Sequence, residues 1–292
     1  VTDISIITPS LNQGRFLREA LSSVAVDHRY SLEHIVVDGG STDDSLAILE
    51  RHRPEVVLCH RPGLNSHEAI NLGLELARGS VIGILNTDDI YEAGALTRVL
   101  ETFQANPRAQ ALCGSMRFFA DPGNAAGDER RGHLQGEDFL LEATFGAPGL
   151  NSWFYRAPFL KRLGPLEQRF DYSADRDFLI RLYFETAPLV VPDLLYHYRV
   201  HHESRTLAPR RATRRAIAGE HMDLARRYLA CFPDHSPRAK LFAAWWAMEW
   251  MKHKLLGGAL SLSEPLPPLT ALPRALLARR RLRRLFHDLS HR

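Results

Sequence analysis

Apolar positions in the first hundred residues follow two alternating periods. Short β-rich runs at Ile4–Ile7, His34–Val37, Val56–Leu58 and Val81–Leu85 predict strands. Between and after them, Phe16, Leu17, Ala20, Leu21 and Val24 recur at helical spacing, as do Leu96, Val99, Leu100 and Phe103, in a helix expected to open near Glu92. Strands alternating with helices need crossover connections, so the pattern predicts an α/β fold with a largely parallel sheet. Such sheets bind ligands beyond the carboxyl ends of their strands. The polar clusters fall there: Thr8-Pro9-Ser10-Leu11-Asn12 after the first run, Asp38-Gly39-Gly40-Ser41-Thr42-Asp43 after the second, and Asn86-Thr87-Asp88-Asp89 after the fourth.

The last cluster puts two adjacent carboxylates at the end of an apolar strand. A buried carboxylate without a partner is costly, so the pair suggests a hard divalent cation carrying a phosphorylated ligand. The alternative is an Asp-rich turn that caps the following helix. The convergence of three polar strand ends on one crevice favours the cation.

At 292 residues and 45% hydrophobic composition, the chain can bury a full core. It shows no run of eighteen apolar residues, and it opens on Thr2-Asp3-Ile4 rather than on a basic and apolar leader, so a soluble or peripheral protein is expected. Cys59, Cys113 and Cys231 are odd in number and far apart, which fits a reducing compartment better than a disulfide framework.

The net charge of +3 conceals an asymmetry: residues 1–204 carry 19 Lys and Arg against 28 Asp and Glu, and residues 205–292 carry 18 against 6. A basic tail favours an anionic partner. Residues 121–131 read as a surface loop near the mouth of the site. After Pro209, Ile217, Leu224 and Tyr228 mark a helical face among arginines. The stretch from Leu241 through Trp245, Trp246 and Trp250 is apolar nearly all round. Beyond Pro265-Leu266-Pro267-Pro268, the arginines from Arg279 to Arg284 interleave with Leu282, Leu285, Phe286 and Leu289 as a basic amphipathic helix.

The order of these pieces resembles the family 2 glycosyltransferases over roughly Ile4 to Thr206. The resemblance implies a GT-A fold, a Rossmann-like and mostly parallel sheet flanked by helices, in residues 1–206, with residues 207–292 as a basic helical extension. It implies inverting transfer from a nucleotide-sugar donor, a UDP-, GDP- or dTDP-sugar, assisted by Mn²⁺ or Mg²⁺. Thr8, Pro9, Ser10 and Asn12 look like the family's first nucleotide loop, and Asp38 and Gly39 belong to its second, where Asp38 would accept from the base. Asp43 is read as a helix N-cap.

Arg61-Pro62-Gly63-Leu64-Asn65-Ser66-His67-Glu68-Ala69-Ile70-Asn71-Leu72-Gly73 is similar to a family stretch reading Pro-Asp-x-Gly-x-x-Asp-Ala-x-Asn-x-Gly, which assigns Glu68 and Asn71 to the donor. It departs from that stretch at Gly63, Asn65 and Glu68. Asn65 tolerates a left-handed backbone, so the family's turn is expected to survive there. Asn86-Thr87-Asp88-Asp89 matches the family's Asp-x-Asp region with Asn86 for the first Asp. Asp88 is then the main metal ligand, Asp89 a second ligand or orienting group, and Asn86 and Thr87 donor contacts.

By the same resemblance, Asp175, within Phe170-Asp171-Tyr172-Ser173-Ala174-Asp175-Arg176-Asp177, is the general base. Tyr196-His197-Tyr198-Arg199-Val200-His201 looks like the family's closing segment, which brings His201 to the metal or diphosphate and Arg199 to the phosphates. Asn151, Trp153 and Arg156 fall on the acceptor side, together with Asp177 in an orienting or structural role. Trp153 would stack on a sugar, although a core aromatic is the commoner fate of Trp.

The acceptor expected is a glycan or lipid-linked hydroxyl of the cell envelope or a secreted polysaccharide. The protein is then cytoplasmic or peripheral on the inner face of an anionic membrane, docked through its C-terminal helices, or homo-oligomeric through Trp245, Trp246 and Trp250. No nucleic-acid recognition motif accompanies the basic tail. A nucleotidyltransferase or a non-catalytic nucleotide-sugar-binding relative are the competing readings.

Overall fold

A computed structural model describes residues 2–26, 28–120, 130–146, 149–201, 211–258 and 265–290, with backbone alone at 130–131 and 288–290. The surface loop expected at 121–131 and the boundary at 206/207 lie largely or wholly outside these residues.

The first half alternates as its apolar pattern predicts: β1 (Ile4–Ser10), α1 (Gly14–Ser23), β2 (Leu32–Asp38), α2 (Ser45–Arg51), β3 (Val57–His60), α3 (Ser66–Leu76) and β4 (Val81–Ile84). There follow β5 (Ile90–Tyr91), α4 (Ala95–Ala105), β6 (Ala111–Ala120), β7 (Arg130–Arg131), α5 (Glu137–Phe145), β8 (Trp153–Arg156), α6 (Ala157–Leu163), α7 (Ala174–Glu185) and β9 (Leu189–Val200). Three long helices complete the chain: α8 (Arg211–Leu229), α9 (Pro237–Leu255) and α10 (Leu272–Ser290).

One nine-stranded sheet runs β3-β2-β1-β4-β8-β6-β9-β5, with β7 on β6. The strands β3, β2, β1 and β4 are mutually parallel, with Ile7 opposite Ile35 and Ile84. Antiparallel β8 joins this half to β6, which runs parallel to β9. The carboxyl ends of β1, β2 and β4 therefore open on one edge, and the polar loops that follow them meet there.

Two local expectations are revised. The helix expected near Glu92 opens three residues later, at Ala95, behind Gly94 in the left-handed region at φ 71°. The intervening Ile90 and Tyr91 pair instead with His197 and Tyr196 of β9, an attachment that no local periodicity encodes. The left-handed turn expected at Asn65 falls on Gly63, at φ 93°, while Asn65 itself is extended at φ −78°. Glycine takes that conformation without steric cost, which leaves Asn65 to act as a cap.

The largest apolar cluster ignores the change in composition near residue 207. It joins Ile7, Ile84, Trp153, Tyr155 and Phe178 to Leu224, Tyr228, Phe242, Trp245 and Leu282 in one packed body. Trp245 and Trp246 are buried inside the chain, and Trp250 is half-buried against the same cluster. Leu282 also faces inward, with Leu285 and Phe286 packed beside it, and Arg281 pairs with Asp138 of α5 at 2.7 Å. Of the stripe expected to meet a membrane, Leu282, Leu285 and Phe286 are turned to the core, and Leu289 lies outside the described side chains. What α10 leaves exposed is Leu276 and Leu277 beside Arg280, Arg283 and Arg284. No helix among the described residues is long and apolar enough to cross a membrane.

Candidate active site

The strand-end loops are stitched together before they meet a ligand. The Asn12 backbone sits in the left-handed region, which Asn tolerates, and its side-chain oxygen accepts from Thr42 N at 2.7 Å while its own N–H donates to Ser41 Oγ. Gly39 N donates to Ser10 O, and Gly63 N to Gly39 O, both at 2.9 Å. A Cβ on Gly39 would come within 2.6 Å of Leu64 O, so the approach of the second and third loops requires glycine. Asp43 accepts from Ser45 N and Gly14 N, joining the starts of α2 and α1. It does the work expected of an N-cap one residue before the cap position, which Asp44 occupies.

Asp38 is fully buried, and its carboxylate accepts from Gly40 N, Ser41 N and Ser41 Oγ, with His60 Nδ1 at 3.1 Å. Its oxygens shape the second loop from behind. Thr8 is equally buried, against His34 Nε2 at 2.9 Å.

These loops form the floor of a cleft of about 420 Å³. Among the residues assigned from sequence, Pro9, Ser10, Asn86, Thr87, Asp88, Asn151 and Asp175 line it. Ser10 Oγ is buried with no hydrogen-bond partner among the described residues, a polar atom that a ligand in the cleft would satisfy. Thr87 Oγ1 donates to Pro9 O and so ties the fourth loop to the first. Asn86 Nδ2 reaches Asp89 Oδ2 at 3.2 Å and Asn151 Oδ1 at 3.4 Å.

Asp88 and Asp89 diverge. Asp88 faces the cleft, with His201 Nε2 at 3.0 Å from its Oδ2. Asp89 turns into the protein, where Tyr196 Oη donates at 2.8 Å and Arg199 N at 2.7 Å. Burial, and then the neighbouring Asp88 charge, push its pKa well above the usual carboxylate range. Arg199 braces the same turn: its Nε donates to Asp88 O, its guanidinium pairs with Glu19, and it stacks on Phe16 and Phe119.

Across the described residues no cluster of three His, Cys, Asp or Glu side chains stands ready to hold a metal. The donor set still fits a hard cation of the kind that binds through one or two protein groups and completes its shell with water and phosphate oxygens. Asp88 and His201 are the two groups present. The described lining carries Asp88, Asp171 and Asp175 and no Lys or Arg, so an anionic diphosphate would need a counter-cation to enter.

Asp175 lies on the first turn of α7 and lines the cleft. Burial pushes its pKa up to about 6, against the opposing pull of the Arg176 charge and of Arg176 N–H, which donates to Oδ1 at 2.7 Å, while Glu220 adds to the rise. A carboxyl of that pKa is ionised at neutral pH and basic enough to take a proton. Arg176 itself is buried, donating to the carbonyls of Ala143, Thr144 and Gly146.

Other assigned residues sit behind the walls, one of them, Glu68, joined to Asn65, which lines the cleft. Glu68 and Asn65 form a reciprocal capping box on α3: Asn65 Oδ1 accepts from His67 N and Glu68 N, and Asn65 N donates to Glu68 Oε2 at 2.8 Å. Asn71 bonds both backbone groups of Leu166 at 2.9 Å, holding α3 to the segment that leads into α7. Trp153 is fully buried between Phe139 and Tyr155, out of reach of a sugar in the cleft. Asp177 is buried under Arg181 Nε and Tyr228 Oη, both at 2.8 Å. Arg156 caps the carbonyls of Phe103 and Ala109.

The cleft also exposes groups that the sequence reading left unassigned: Gln13, His67, Leu150, Asp171, Tyr172 and Tyr198. Each adjoins a motif residue in sequence, and that adjacency was the only available signal.

The architecture matches known structures. S. aureus TarS 1-349 in complex with UDP-GlcNAc superposes with a TM-score of 0.60 at 16% identity, covering 95% of this chain and 81% of that one. Mannosyltransferase PcManGT from Pyrobaculum calidifontis, in complex with GDP-Man and Mn²⁺, gives 0.57 at 17%, covering 99% and 86%. Against the longer TarS structure, this chain spans about half the length, 49%. The fold is that of the GT-A glycosyltransferases.

Sequence comparison narrows the class. The model for Glycosyl transferase family 2 matches residues 5–163, just over half of the chain, and the chain belongs to that family. A PGL/p-HBAD biosynthesis glycosyltransferase of Mycobacterium bovis is 29% identical over 188 residues, covering 63% of this chain and 70% of the relative.

Proposed function

We propose that the chain is an inverting glycosyltransferase that moves a sugar from a nucleoside-diphosphate donor to a hydroxyl of a cell-envelope or secreted glycan or glycolipid. The observation that carries this reading is the sharing of one cleft by Asp88, at the end of the central strand, and Asp175, on α7. The donor would lie over the Pro9–Ser10 loop, with Ser10 Oγ and the Asn86 amide as polar contacts. Asp88 with His201 would hold the Mn²⁺ or Mg²⁺. When bound, that ion neutralises charge on the leaving diphosphate.

Asp175 takes the proton of the acceptor hydroxyl as its oxygen bonds to the anomeric carbon. The bond from that carbon to the diphosphate oxygen breaks, and its electron pair leaves with the nucleotide. A single displacement inverts the centre and needs one base. Asp38, Asp89, Glu68, Asn71 and Arg199 would shape the donor loops, and Asn151 would face the acceptor.

The donors in the matched structures, UDP-GlcNAc and GDP-Man with Mn²⁺, support a nucleotide sugar and a divalent ion. The name of the mycobacterial relative supports an envelope acceptor. The exposed Leu276 and Leu277 beside arginines support docking of the 207–292 extension on the inner face of an anionic membrane.

The test is a thermal-shift panel of UDP, GDP and dTDP with and without Mn²⁺, followed by turnover of the matching sugar nucleotide. One nucleotide should stabilise the protein only with the ion, by about 2.7 kcal/mol at a hundred times its Kd. No stabilisation by any of them would sink the reading. Binding without turnover would instead mark a non-catalytic relative.

A further inference from the structure

The family match ends at residue 163, yet the wall of the cleft that carries Asp175 is held from beyond it. Glu220, on α8, accepts from Asp171 N at 2.9 Å through one carboxylate oxygen and from Tyr172 N at 3.0 Å through the other. Both of these residues line the cleft, four and three positions before Asp175. Two backbone N–H groups converging on one carboxylate make a charge-assisted clamp. About two turns further on, the same helix holds α7 itself: Tyr228 Oη donates to Asp177 Oδ1, and Arg227 lies 3.5 Å from the same atom.

We propose that Glu220 is a positioning residue for the transfer, a carboxylate supplied by the C-terminal extension that clamps the Asp171–Tyr172 turn and so fixes the acceptor wall and the base behind it. The proposal rests on the assignment of Asp175 as base and adds that the extension is part of the active site. The charged and titratable groups whose fields reach the Asp175 carboxyl are Arg176 on its own helix, Glu220 from α8 and the Tyr155 phenol from β8. Glu249 of α9 and His221 of α8 interact with Arg176 rather than with Asp175 itself. Glu220 is the carboxylate in this set that opposes ionisation of Asp175 directly, so it tunes the base as well as placing it.

The sequence could not announce this. Glu220 stands 45 residues from Asp175, among the arginines of a helix whose composition reads as a solvated or docking surface.

The experiment uses the full chain with Mn²⁺ and, as donors, UDP-GlcNAc and GDP-Man, reading nucleoside diphosphate released to water together with amide hydrogen exchange. In Glu220→Ala, exchange at Asp171 and Tyr172 should accelerate, and release should fall about ten-fold or more, the scale of a small misplacement of a reacting group, with donor affinity unchanged. In Glu220→Gln, which keeps the shape but replaces one acceptor with a donor, the acid limb of the rate profile should move to lower pH.

Unchanged exchange in Glu220→Ala, or a limb and rate in Glu220→Gln equal to wild type, would overturn the clamp and leave the proposed function standing. If Asp175→Asn releases nucleotide as fast as wild type, the base assignment fails and takes this proposal with it. The exchange measurement tells the two failures apart.

Discussion

Replacing Asp175 by asparagine should leave the protein nearly inactive and more stable. Its carboxyl titrates near pH 6 in the folded chain, against 3.8 for the ordinary group. Above pH 6 the folded protein therefore keeps an ionised carboxylate that it holds less favourably than the unfolded chain does. A shift of about two units corresponds to about 3 kcal/mol of lost stability. Asparagine carries no charge, and its oxygen can still accept from Arg176 N, so the substitution removes the cost and keeps the contact.

The sign reverses the usual behaviour of a paired carboxylate. Between pH 3.8 and 6 the folded state binds the extra proton, so the wild type recovers stability as pH falls through that window. The gain in Asp175→Asn should be full at pH 7.5, roughly 1 kcal/mol at pH 4.5 and close to zero at pH 3. With 292 residues, about 3 kcal/mol corresponds to a Tm rise of about 5 °C. Denaturant melts of both proteins at these three pH values are the assay. Turnover should fall by orders of magnitude with donor binding kept. A variant equal to or weaker than wild type at pH 7.5, or a gain that does not shrink in acid, would refute the claim that the wall of the cleft raises this pKa.

Other consequences can be checked one by one. The rate profile of the wild type should show an acid limb near pH 6, absent from any residual activity of Asp175→Asn. Asp88→Ala should abolish the Mn²⁺-dependent part of donor binding, and equal donor affinity by calorimetry with the ion present would count against its role. Asn65→Ala should cost about 1 kcal/mol through loss of the capping box, measured by denaturant melts, with little effect on transfer. Vesicle flotation should show binding that depends on anionic lipid and is lost in a Leu276→Ser, Leu277→Ser, Arg280→Ser triple variant, because each basic residue near such a surface adds about 1 kcal/mol.

Much of the cleft floor was legible because it is local. A parallel sheet writes its strands as short apolar runs and its ligand loops as the polar residues just after them, so Pro9, Ser10, Asn86 and Asp88 could be placed by counting. What the pattern could not decide was which polar residue faces outward. Asp88 and Asp89 are neighbours with identical side chains, and only the pairing of Ile90 and Tyr91 with β9 turns Asp89 towards Tyr196. The three departures from the family stretch at Gly63, Asn65 and Glu68 read in sequence as changes to donor contacts. In the structure they are a left-handed turn followed by a capping box, and the spacing Asn65-Ser66-His67-Glu68 carries that signature on its face. Trp153 followed the commoner fate of its residue type.

Which faces of the C-terminal helices turn inward was not legible in sequence. Their arginines and interleaved apolar residues describe a surface helix, and on hydropathy alone nothing separates a face that meets lipid from one that meets the rest of the protein. The structure assigns Leu282 and its helical neighbours to the core because α5 and α7 leave an apolar flank that β8 alone does not cover, and α8, α9 and α10 close it. The buried charges make sense only in that setting. Arg176 enters the core beside the Asp175 carboxyl, and Glu249 of α9 balances it. Burial pushes the Glu249 carboxyl up, but His221 and Lys252 outweigh burial and hold it at about 2. Because its folded pKa is depressed from 4.5, Glu249 stabilises the fold fully above pH 4.5 and loses that contribution as pH falls towards 2. Glu249→Gln should therefore destabilise the fold at neutral pH, where it leaves Arg176 and Lys252 without this carboxylate, and cost much less near pH 2. If the extension were a separate surface module, the same substitution would leave the melting of the remainder of the chain untouched.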